Sequence, residues 1–199
     1  MVSVGSIISF VLVVVMELNK LRDKAYKIAC EHGFHDEESS NEHCLMLVIT
    51  ELSEAVEADR KGLYARVPKD KENTLFDPKT FHGDNVYFVD NFKKNVKDKV
   101  EDELADTCIR LLDLAGLRNL NLNRFALVNV VSSKKTFTEN VYAIIKDIMN
   151  YKYSLEEQVN YAITQIFALS RILDIDLLWF IEHKMIYNEK REYKHGKKY

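Results

Sequence analysis

The sequence predicts an all-α fold, a helical bundle of about five to six helices with a long insertion loop between the second and third helices. Three observations carry this expectation. Apolar residues recur at three- and four-residue spacing along most of the chain. Only two prolines and six glycines interrupt 199 residues, too few for a protein built on tight turns. Residues that start and stop helices flank the periodic stretches.

Leu18, Leu21, Ala25, Ile28 and Ala29 form the apolar stripe of a first helix that ends near Gly33. A second helix spans Asn41 to Arg60, with Gly62 as its stop. Residues 62–95 lose the period and hold both prolines, so they read as an insertion loop. Val96, Val100, Leu104, Ile109, Leu111, Leu112 and Leu114 restore the period, and Gly116 ends this third helix. The stretch FALVNVV is compatible with a short strand or with a loop and short helix, although a lone strand has no partner in a helical protein. A helix then covers Thr138 to Met149. Another runs from Ser154 to Leu173, opened by the capping-box pattern of Ser154 and Glu157, and a last one begins near Asp176.

Residues 16–199 read as one domain, long enough for one sizeable core. Residues 1–15 read as an extension without a structural role. The apolar run Ile7 to Met16 is too short to span a bilayer, and no Lys or Arg precedes Lys20 to form the basic region of a secretory signal. A net charge of −3 gives no chain-wide basic field for duplex nucleic acid, so neither nucleic acid nor membrane is an expected partner. Cys30, Cys44 and Cys108 are odd in number and far apart within apolar helical patterns. They suit reduced core thiols and a cytoplasmic setting.

The chemistry begins at ELSEAVEADR, where Glu51 and Glu54 lie three residues apart. Each helical residue turns about 100°, so the two point the same way, about 60° apart. Cys44, Leu47, Ala55 and Ala58 project close to Glu51, while Ser53, Glu57 and Arg60 fall on the far side. The pair therefore sits at the margin of the apolar face. EDELAD repeats the arrangement with Glu103 and Asp106, beside Val96, Val100 and Leu114. If the two stripes face each other, four carboxylates converge, and repulsion raises their pKa values or draws in cations. Oxygen-only ligation suits Mg²⁺ or Mn²⁺; a ferritin-like di-iron centre would want a Glu-x-x-His pair that neither helix has. Near the C-terminus, Lys184, Asn188 and Arg191 recur at i, i+4, i+7, an ammonium, an amide and a guanidinium suited to phosphate oxygens, with His195, Lys197 and Lys198 just beyond.

ELSEAVEADRKG followed by VEDELADTCIRLLDLAG resembles the Glu-x-x-Glu, Glu-x-x-Asp signature of the MazG-like nucleoside triphosphate pyrophosphohydrolases, in the all-α NTP pyrophosphatase superfamily. KMIYNEKREYKHGKKY resembles the Lys-x-x-x-Asn-x-x-Arg tail of the same family. The resemblance implies Mg²⁺ (or Mn²⁺) held by Glu51, Glu54, Glu103 and Asp106, and phosphates contacted by Lys184, Asn188, Arg191 and Lys197. It implies hydrolysis of a nucleoside triphosphate, deoxynucleotides first among them, between the α and β phosphates, with Glu54 as candidate general base. It also implies a homodimer or homotetramer, and points to Tyr26, His32 and Phe34 as candidate base stackers. The chain departs from the family in the long interval 62–95 and in the extended region 119–175, where Leu155 to Leu173 reads as an added helix that supports assembly.

Two other readings compete. In one the acidic pairs are solvated faces of a non-catalytic helical interaction protein. In the other His32, His35 and Asp36 form the start of a His-Asp metal phosphohydrolase site, which needs further His and Asp ligands on later helices.

Overall fold

A computed structural model of the chain describes residues 4–67, 86–122 and 136–196. Among the described residues are seven α-helices and no strands: α1 (Val4–Glu31), α2 (Asn41–Arg60), α3 (Val86–Asn95), α4 (Val100–Leu117), α5 (Phe137–Met149), α6 (Leu155–Ile172) and α7 (Leu177–Asn188). One 3-10 turn, Tyr193–Gly196, follows. None of the described helices is long and apolar enough to cross a membrane. FALVNVV and Lys197 lie outside the described residues.

The bundle is organised around α4, which packs against α1, α2, α6 and α7. Its two apolar sides explain this: Leu104, Leu111, Leu112 and Ala115 are all fully buried, so no face of the helix is left wholly to solvent. Gly116 sets how close α1 can come. A Cβ there would stand 2.4 Å from the Tyr26 Cβ, so only glycine admits this crossing.

The helix ends follow local chemistry. α1 stops at Gly33, whose φ of 75° is left-handed, with the Phe34 N–H donating to the Ala29 carbonyl. α2 stops in the same manner at Gly62, and Ser40 caps its start by accepting from the His43 N–H. Ser154 and Glu157 form the expected capping box, and Thr136 with Glu139 forms a second one ahead of α5.

Three expectations need correction. Part of the 62–95 interval is helical: α3 buries Phe88 and Phe92, four residues apart, and Phe92 stacks on Tyr187 of α7 at 4.7 Å between centroids. The helix expected from Val96 starts only at Val100, because Asp98 adopts a left-handed φ of 61° and turns the chain, while Val96 is buried in that turn. Of the three cysteines, all free, only Cys108 is fully buried and Cys30 is exposed.

Candidate metal centre

The packing of α2 on α4 brings Glu51, Glu103 and Asp106 together, each offering a carboxylate oxygen within 4.8 Å of the others. Glu51 and Glu103 are buried and Asp106 is partly exposed. Glu54 is exposed: the 60° turn between residues three apart carries it across the margin that leaves Glu51 inside. Its charge still raises the pKa of Glu51.

A fourth carboxylate, Asp102, is buried one turn before Asp106. Lys184 of α7 donates to both, with Nζ 2.7 Å from Asp102 Oδ1 and 2.7 Å from Asp106 Oδ2. Arg110 Nε donates to Glu51 Oε1 at 3.0 Å. Two cations thus face four acidic groups, and the remaining imbalance falls on Glu103, which neither cation pairs with directly. Burial, reinforced by Asp106 and Asp102, pushes the Glu103 carboxyl up to about 9, so it carries a proton at neutral pH. Burial also raises Asp102, to about 6, against the pull of Lys184. Glu51 is raised by burial and by Asp106, with Arg110 opposing. Burial alone would lower Lys184, but Asp106 and Asp102 outweigh it and hold the ammonium above the ordinary lysine range.

The donor set fits a hard divalent cation: three oxygens from two helices, no sulfur or imidazole, and one carboxyl whose proton a metal ion can replace. Asp98, Asp102 and Glu103 form a second group whose donor oxygens also lie within 4.8 Å of one another. No histidine joins either group among the described residues. His32 instead meets the carbonyls of Ile28 and Arg191, His35 bonds Asp113, and Asp36 accepts from the Tyr193 hydroxyl. The His-Asp reading therefore finds its three residues turned to separate partners.

A cleft opens beside the cluster, walled by Glu51, Asp106 and Arg110 on one side and by Phe34, Asn188 and Arg191 on others. Asn188 and Arg191 thus reach the same space, although α7 ends at Asn188 and Arg191 comes from the turn beyond it. Asn188 Oδ1 is buried without a hydrogen-bond partner. Lys184 belongs to the carboxylate cluster and is not part of the cleft wall. Of the candidate stackers, Phe34 lines the cleft, Tyr26 packs on the His35 ring at 5.1 Å, and His32 is buried.

Sequence reasoning missed Asp102, Arg110 and Asp113. Helical spacing carried the signal: residues 102, 106, 110 and 113 step by four, four and three, one stripe of α4.

The fold and the site together define an all-helical bundle with a buried acidic cluster at the edge of a cleft. No protein-family model, curated protein or solved structure matches the chain.

Proposed function

We propose that the protein hydrolyses nucleoside triphosphates, deoxynucleotides foremost, to a monophosphate and pyrophosphate with Mg²⁺ or Mn²⁺. The observation that carries this reading is the convergence of Glu51, Glu103 and Asp106 beside a cleft that also holds Arg110, Asn188 and Arg191. Carboxylates for a cation and guanidinium groups for phosphate share one space.

Glu51, Glu103 and Asp106 are the residues that would hold the metal, with Glu54 at their rim. When bound there, a divalent ion screens the triphosphate and acidifies a water. Arg191 holds phosphate oxygens, with the Asn188 amide donating alongside. Arg110, bonded to Glu51, also lines the cleft and offers phosphate a second guanidinium. Lys184 pairs with Asp102 and Asp106 and fixes them in place. Glu54, exposed to solvent, takes the proton of the water whose oxygen attacks the α-phosphorus, and the bond to the bridging oxygen breaks to release pyrophosphate. The reading carries a cytoplasmic setting, supported by three free cysteines, and a homodimer or homotetramer, as the family resemblance implies.

Product identification by phosphorus NMR tests it. Monophosphate with pyrophosphate is expected; diphosphate with orthophosphate would mean attack at the γ-phosphorus and a different enzyme. A non-catalytic interaction protein would give neither product.

A further inference from the structure

The acidic cluster occupies only one end of the cleft. Asp113 also lines it, two turns along α4 from Asp106, about 10.5 Å along the helix axis. Asp113 Oδ1 meets His35 Nε2 at 2.7 Å, and the His35 ring is braced by Tyr26. Tyr26 in turn is pressed against Gly116, so the carboxyl is held from behind by the packing of α1 on α4. Its second oxygen makes no hydrogen bond among the described residues, and the side chain keeps 17% of its surface exposed.

The cleft wall includes the apolar residues Ala25, Ala29 and Ile109 and the Phe34 ring, over which the Arg110 guanidinium lies 6.0 Å from the centroid. Asn188 adds a second acceptor: the residue is only 8% exposed, lines the cleft, and its Oδ1 has no partner. Buried acceptors left without donors are costly, so a ligand for this space should bring N–H or O–H groups. Ionised phosphates bring none. An aromatic ring with an amine on its edge satisfies both the apolar wall and the carboxylate, while a ring that presents a carbonyl oxygen there meets negative charge.

Resting on the nucleotide reading above, we infer that the Asp113 end of the cleft selects nucleobases bearing an exocyclic amine, with the Asp113 carboxylate accepting from that amine. Asn188 Oδ1 accepts from a sugar hydroxyl. His35 touches Asp113 and not the base, and is a positioning residue.

Calorimetric binding of the cytidine and uridine monophosphates, and of the adenosine and inosine monophosphates, in Mg²⁺ tests this directly. The amine-bearing member of each pair is expected to bind roughly ten- to a hundredfold more tightly, the range set by one charge-assisted hydrogen bond. Asp113→Asn should bring both ratios to near one or invert them. Asp113→Ser answers the same question if the Asn variant fails to fold. Equal affinities in the wild type, no binding of any of the four, or ratios that survive both substitutions overturn the inference. Triphosphate hydrolysis is read separately. Turnover without base preference sinks the base subsite and leaves the hydrolase, whereas amine-selective binding without turnover does the reverse.

Discussion

Lys184 Nζ stands 2.7 Å from Asp106 Oδ2 and equally close to Asp102 Oδ1, with 3% of its side chain exposed. The motif that suggested a phosphate ligand thus yields an internal counterion for the acidic cluster. Releasing it to a phosphate would break two ion pairs, the one to Asp102 fully buried. Lys184→Met should strand the buried Asp102 carboxylate and the partly exposed Asp106 and destabilise the metal-free protein by about 3–5 kcal/mol, measured by urea unfolding. A loss below about 1 kcal/mol, the range of surface ion pairs, would contradict this account of Lys184.

Glu103 sets a pH dependence. Its carboxyl is near 9 in the folded protein against an ordinary 4.5, so across that window the folded state holds a proton that the unfolded state has lost. The unfolded chain then binds fewer protons, and stability falls as pH rises from about 4.5 to 9. In EDTA, the Tm of Glu103→Gln should fall less steeply with pH than that of the wild type, and should exceed it at pH 8. Parallel Tm profiles would show that Glu103 is not the group responsible.

Metal binding divides the four acidic residues of the two motifs. Millimolar Mg²⁺ should raise the Tm of the wild type by mass action, and Glu51→Gln or Asp106→Asn should remove most of that rise. Glu54 is exposed, so Glu54→Gln should change stability by no more than about 0.5 kcal/mol while abolishing turnover. Full turnover in Glu54→Gln would remove it as general base.

Gly116 tests the packing of α1 on α4. Alanine is the better helix former by about 1 kcal/mol. Here its Cβ would lie 2.4 Å from the Tyr26 Cβ, close to backbone that cannot swing away. Gly116→Ala should therefore destabilise, by roughly 1–3 kcal/mol, in chemical denaturation. A stabilised variant would mean that the helices separate at little cost.

What the sequence revealed and what it hid divide along contact distance. The borders of α2 and α6, the capping box at Ser154, and the placing of Glu51 and of Glu103 beside the apolar stripes of their own helices follow from spacing within one helix, whereas the facing of the two stripes entered only as a condition. The α3 helix was readable in the helical spacing of Phe88, Val89, Phe92 and Val96 and was missed because those residues adjoin a proline-containing stretch without period. The roles of Lys184 and Arg110 depend on partners 82 and 59 residues away, which no local pattern specifies. Glu54 shows the limit of a helical wheel. A margin position can fall on either side, and the packing of neighbouring helices decides which.

The acidic cluster is proposed to serve a metal-dependent pyrophosphohydrolase. The most direct measurement is pyrophosphate release from a panel of canonical and modified dNTPs and NTPs with Mg²⁺ or Mn²⁺, comparing the wild type with Glu54→Gln and Asp106→Asn. Metal-dependent release by the wild type, lost in both folded variants, is the predicted result. Silence across the panel in well-folded wild type would contradict it and leave the carboxylates as part of a helical interaction protein, and release that survives in Asp106→Asn would contradict it by placing the chemistry away from this cluster.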